Sequence, residues 1–311
     1  MKRLLVCFFV ILIGLSLLSS CTEHREKGEE LSVICTSFSW YDWAREIVGE
    51  SEGVTLRLLV GDGKDMHSYS PSAADMMAIL DCDLLIYGGG VSEAWIGDLV
   101  AQGKLREPLS LMALLGEDVK CLTPHEGASH AEHAHGDVDE HIWLSPRNAI
   151  RFCEAIKDAL CHIDGARAAT YRANCASYLK ELTALDGEFS ALVSGASQKS
   201  VVVADRYPYR YLFEDYGIAC HAAFEGCSSE SDASVSTVIE LSKTLDALGL
   251  CGVLVTETSD GRLARTLVEN TTAKTAEIYV LHSLQSVTNA ENTSYLSVMK
   301  ENLETLKKLL K

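Results

Sequence analysis

From residue 31 onward, short runs of consecutive apolar residues alternate with stretches whose apolar positions recur every three or four residues. The first pattern marks buried strands and the second amphipathic helices. In the first part of the chain strands are predicted at 31–36, 54–60, 83–87 and 119–122. Helices are predicted at 40–50, from Ser70-Pro71-Ser72 onward, at 91–102 and at 109–115. Residues 40–50 put Trp40, Trp43, Ala44 and Ile47 on one helical face, and Gly88-Gly89-Gly90 stops the 83–87 run, as a glycine cluster does.

From Ser145 the period stays helical, broken only at Asp164-Gly165, which separates 146–162 from 166–193. The second segment has no proline and carries Tyr171, Tyr178, Leu179, Leu182, Leu185 and Phe189 at helical spacings. A helix of about 28 residues rises about 42 Å at ~1.5 Å per residue, enough to cross a domain. Past Gly195 strands return at 200–204, 218–223, 252–256 and 277–281, alternating with helices at 208–216, 233–248, 261–270 and 294–311. The economical fold class is α/β, with two α/β lobes, residues 31–163 and 196–311, joined by a single long rigid helix within 164–195.

The N-terminus is of another kind. Lys2-Arg3, an apolar run from Leu4 to Leu18 and the small residues Ser19-Ser20 before Cys21 describe a secretory signal, too short for a membrane span. Leu18-Ser19-Ser20-Cys21 resembles a bacterial lipobox, so residues 1–20 are expected to be removed and Cys21 to carry lipid. Residues 21–30 then form a polar tether. Loss of Lys2 and Arg3 would deepen the net charge from −17 to −19, which excludes nucleic acid as a partner. The mature chain is expected to be a monomer held to a membrane face. Of the eleven cysteines in the full sequence none forms C-x-x-C, so no thiolate zinc knuckle is present. Cys153 and Cys161 sit about 12 Å apart along their helix, too far for a disulfide. Cys220 and Cys227 could pair across a loop. Most of the rest read as small buried apolar residues.

Candidate chemistry concentrates in HEGASHAEHAHGDVDEHIWLSP, residues 125–146. Five of the ten histidines (His125, His130, His133, His135, His141) are interleaved there with Glu126, Glu132, Asp137, Asp139 and Glu140. So many polar rings and carboxylates cannot all be buried and satisfied, and the stretch reads as a solvated loop that attracts a divalent metal. His141 differs, because Ile142-Trp143-Leu144 and the helix start Ser145-Pro146 follow it. His67 lies in a Gly-rich loop past a strand, Asp205-Arg206 follow the 200–204 strand, and His282 follows the 277–281 strand. Open α/β sheets bind ligands beyond the carboxyl ends of their strands, which makes these positions metal candidates. H-E-x-x-H, G-x-S-x-G and P-loop patterns are absent, so a binding protein is expected rather than an enzyme. An adhesin and a zinc-dependent hydrolase are the rival classes.

GDGKDMHSYSPSAADM, CDLLIYGGG, DEHIWLSPRNA, YRYLFEDYGI and SYLSVMKENLETL together resemble, in order and over nearly the whole chain, the solute-binding lipoproteins of bacterial zinc and manganese ABC importers. The resemblance implies a metal held in the interlobe cleft by two residues from each lobe, outside the cytoplasm, for delivery to an ABC permease and its ATPase. His67 and His141 match the family's two N-lobe histidines. The family's third ligand, usually His or Glu, falls on Arg206, which cannot coordinate a cation, so Asp205 is taken in its place. The fourth falls on His282. The implied ligand set is thus His67, His141, His282 and Asp205. Three imidazoles favour Zn2+, with Mn2+ the alternative, and residues 125–135, with His125, His130, His133 and His135, would be an accessory loop.

Overall fold

The structure is a computed structural model and describes residues 30–61, 63–122, 138–224, 233–272 and 276–310. The signal segment, Cys21, the tether up to residue 29, Cys227 and the accessory histidines His125, His130, His133 and His135 lie outside the described residues.

In the N-terminal lobe the apolar runs become β1 (Leu31–Cys35), and after α1 (Phe38–Val48) β2 (Val54–Leu58), then α2 (Ala73–Asp81), β3 (Leu84–Tyr87), α3 (Ala94–Ala101) and β4 (Pro108–Ser110). They form a parallel sheet of order β2-β1-β3-β4. The inner strands β1 and β3 are apolar apart from Ser32 and almost wholly buried, while the edge strand β2 alternates. Parallel sheets covered on both faces require this. Helix α2 begins at a reciprocal capping box between Ser72 and Asp75.

Two expectations fail here. Residues 109–115 are not a helix: Pro108–Ser110 pairs with β3, and a 3-10 turn, Met112–Leu114, follows. A proline opening an edge strand forfeits no ladder bond, and three residues are too few to show a period. Among the described residues, 119–122 give only a single bridge, Cys121 to Val138.

Ser145 Oγ accepts from Asn148 N at 3.0 Å and starts α4 (Pro146–Ile163) with proline in the first turn. The long helix α5 (Ala168–Gly195) has 28 residues and buries Tyr171, Tyr178, Leu182, Leu185 and Phe189. Beyond it come β5 (Ser200–Val203), α6 (Arg210–Tyr216), β6 (Ala219–Ala222), α7 (Val235–Leu248), β7 (Gly252–Val255), α8 (Arg262–Asn270), β8 (Glu277–Val280) and α9 (Tyr295–Leu309). Their sheet has order β6-β5-β7-β8, all parallel. Both lobes therefore repeat one strand order, a likeness that the sequence does not display. The described cysteines are free thiols, with Cys35, Cys82, Cys153 and Cys175 buried.

The long helix is not the sole bridge. One apolar core runs from Leu31 and Trp43 through Tyr178 to Tyr295 and Leu306, with α9 packed on α1 and α5. Tyr295 N donates to Asp42 Oδ2 at 2.7 Å, and its ring meets that of Trp43 edge-on at 5.1 Å. Arg45 donates to the carbonyls of Ala290, Glu291 and Thr293 at 2.9, 3.0 and 2.6 Å. Trp143 Nε1 donates to Ser283 O at 2.8 Å, and Tyr295 Oη to Trp143 O at 2.8 Å.

Asp42 is fully buried in this seam. Burial raises its carboxyl from 3.8 to about 6, against the opposing pull of Tyr295 N and Arg45. A raised carboxyl contributes stability that is complete below 3.8 and is lost as pH rises through about 6. The loss amounts to roughly 3 kcal/mol. Asp42→Asn keeps an acceptor for Tyr295 N without the buried charge. Urea unfolding across this window should show a flatter pH dependence for the variant than for the parent chain. Parallel slopes would remove Asp42 as the cause.

Candidate metal centre

His67 sits in the 3-10 turn Met66–Ser68, beyond the carboxyl end of β2, and Asp65 Oδ1 caps that turn by accepting from His67 N at 2.9 Å. The His67 ring is anchored through Nδ1, which lies 2.7 Å from Ser92 Oγ and 3.0 Å from Glu140 Oε1. Ser92 fixes the carboxylate in turn, donating from N at 2.9 Å and from Oγ at 2.7 Å. Ser92 arrives on the turn that follows Gly88-Gly89-Gly90, and a Cβ on Gly90 would fall 2.4 Å from Glu140 Cβ. Only glycine lets the two segments approach so closely. Burial opposes the Glu140 charge, but hydrogen bonds from His67 and Ser92 outweigh it and draw the carboxyl down to about 2.

His141 is buried, immediately ahead of the 3-10 turn Ile142–Leu144. Its Nδ1 lies 2.7 Å from Asp139 Oδ1, and its backbone N donates to the same oxygen at 3.0 Å. Asp139 is held from the other lobe, with Arg210 Nε at 3.4 Å from Oδ2 and Tyr211 Oη donating to its carbonyl at 3.1 Å. The two rings stand 5.4 Å apart, centroid to centroid. Carboxylate acceptors assign the proton of each ring to Nδ1, which leaves Nε2 as the basic nitrogen. Metal-binding histidines carry this outer carboxylate as a rule.

The other two predicted ligands lie elsewhere. Asp205, past the end of β5, spends Oδ1 on Arg206 N at 2.8 Å and Oδ2 on Thr256 N and Oγ1 at 3.0 and 2.6 Å. His282, past β8, is fixed by Asn302 on both sides of its peptide, with Nε2 3.4 Å from Glu301 Oε2 on α9. Among the described residues no group of three or more His, Cys, Asp or Glu is placed to hold a metal ion. The structure thus brings together His67 and His141 and leaves Asp205 and His282 in contacts of their own. Ser92 and Arg210 were invisible to sequence reasoning. Asp139-Glu140, two carboxylates directly before a histidine, were a readable signal for the outer partners.

Glu140→Gln retains the shape and one acceptor but removes the charge that polarises His67. Zinc affinity, measured by competition against a chelating dye, should fall about tenfold or more, with the unfolding temperature little changed. Unchanged affinity would detach Glu140 from the centre.

Residues 33–309 match the family described as ZnuA, zinc-uptake complex component A, periplasmic. The chain is 29% identical over 296 residues to the zinc-binding lipoprotein AdcA of Streptococcus pneumoniae serotype 4, covering 93% of this chain and 58% of AdcA. It thus spans little more than half the length of that relative. It is also 29% identical over 310 residues to the manganese-binding lipoprotein MntA of Halalkalibacterium halodurans, covering 96% of this chain and 97% of MntA. The Zn(II)-bound ZnuA-like domain of S. pneumoniae AdcA superposes with a TM-score of 0.71 at 27% identity, over 90% of this chain and 98% of that domain. With the match spanning residues 33–309, nearly all of both lobes, the chain belongs to the ZnuA family of zinc-uptake component A proteins.

Proposed function

We propose that this protein is the extracytoplasmic receptor of a metal ABC importer, capturing Zn2+ in the interlobe cleft and delivering it to a permease driven by its ATPase. It would be tethered to the membrane through lipid on Cys21, and it performs no catalysis. One observation carries the reading: His67 and His141, 74 residues apart in sequence, meet at 5.4 Å with each Nδ1 locked by its own carboxylate. Two imidazoles suit zinc better than manganese, which prefers oxygen donors. The zinc-binding name of AdcA and the zinc-uptake family description favour the same ion. MntA, named for manganese, keeps Mn2+ as the alternative cargo. Asp205 and His282 would join the ion only by exchanging Thr256 and Glu301 for it. Residues 125–135 would concentrate metal near the cleft without holding the transported ion.

Zinc titration of His67→Ala and His141→Ala tests this directly. Each should weaken the tight site at least about 100-fold, beyond the loss of an outer partner, whereas deletion of 125–135 should abolish only weak additional binding. Unaltered affinity in both variants, or loss of the tight site with the loop, would refute the assignment.

A further inference from the structure

Glu93 is a buried carboxylate, only 6% exposed, that takes no part in either imidazole clamp. It stands directly before α3, where acidic groups ordinarily stay in water beside the helix's free N–H groups. Its side chain makes no cap bond there and turns into the core instead. Burial pushes its carboxyl up, against hydrogen bonds from Thr36 and from the Gly88 and Gly89 backbone. A buried carboxylate is costly unless its oxygens are satisfied, and each oxygen here leads to a different part of the centre.

Oε2 accepts from Gly89 N at 2.8 Å, and a Cβ on Gly88 would fall 3.0 Å from the same oxygen. The glycine turn is thereby tied to Glu93. That turn brings Gly90 against Glu140, and Ser92, next to Glu93 in the chain, donates twice to the Glu140 carboxylate that holds His67. Oε1 accepts from Thr36 Oγ1, which itself accepts from Trp40 Nε1 at 2.9 Å. The Trp40 ring meets Trp143 edge-on at 5.9 Å, and Trp143 meets His141 edge-on at 5.3 Å. All three rings are buried, and close packing passes a displacement of one on to the next.

We propose, on the basis of the metal-receptor reading, that Glu93 is a positioning residue of the centre, one oxygen fixing the support of His67 and the other that of His141. It acts through the glycine turn, Ser92 and Glu140 on one side, and through Thr36, Trp40 and Trp143 on the other. Breaking one arm moves one ring. Removing the carboxylate moves both, and the distance between the two imidazoles is no longer set.

Imidazole nitrogen NMR signals of the metal-free full chain, assigned with His67→Ala and His141→Ala, read the two rings separately. Zinc affinity by dye competition reads the centre as a whole. Glu93→Gln keeps the shape but replaces one acceptor oxygen by a donor amide. It should displace both ring signals and weaken zinc binding about tenfold or more, as loss of an outer partner does. Thr36→Val breaks only the Oε1 arm and should displace the His141 signal while the His67 signal stays. A Glu93 that merely stabilises the fold would lower the unfolding temperature on substitution with ring signals and affinity unmoved, and that outcome overturns the proposal. A Thr36→Val change at His67 in place of His141 overturns it too, and decides the matter if Glu93→Gln does not fold. Failure of zinc to bind the parent chain would instead overturn the receptor reading, while the metal-free ring signals still judge Glu93.

Discussion

Everything at the centre depends on two carboxylate–imidazole clamps. Free imidazoles rotate and choose between tautomers; a carboxylate on Nδ1 removes both freedoms and leaves a basic Nε2. Glu140 and Asp139 are consecutive, so one dipeptide serves both rings, His67 across the lobe and His141 two residues past Asp139. The surrounding architecture serves this dipeptide. Gly90 gives it room, Ser92 fixes one carboxylate, and Arg210 from the other lobe faces the second.

That last contact links the site to the relation between the lobes. Asp139 touches Arg210 and Tyr211 on α6, while Trp143, just past His141, reaches Ser283 beyond β8. The Asp42–Tyr295 and Arg45 contacts close the opposite side. With a continuous core beneath them, the lobes have little freedom for wide hinge motion, which ordinarily needs a few loop residues free to change backbone angles. Small adjustments of the loops at the carboxyl ends of the strands are the motion this packing permits.

The α/β pattern, the long helix and the capped helix starts were legible because burial imposes a period on them. The Ser72 and Ser145 caps and the tyrosine-lined face of α5 all fell where pattern placed them. Pro108–Ser110 was not legible, since a three-residue edge strand offers no period, and proline is tolerated there for reasons that only pairing reveals. The interlobe seam was hidden for another reason: Asp42 and Tyr295 lie 253 positions apart, and nothing local marks them as partners. His67 and His141 were nameable through family resemblance, whereas Ser92 has no local mark at all. For Asp205 and His282 topology supplied a position at a strand end, but side-chain direction depends on neighbours such as Thr256 and Asn302 that the sequence does not put beside them.

X-ray absorption at the zinc edge, on the zinc-loaded chain lacking 125–135, tests the central assignment most directly. Two imidazole nitrogens at about 2.0–2.1 Å, with oxygen completing the shell, are expected, and one imidazole should disappear in each of His67→Ala and His141→Ala. A spectrum unchanged by both substitutions, or thiolate sulfur at about 2.3 Å, would contradict it.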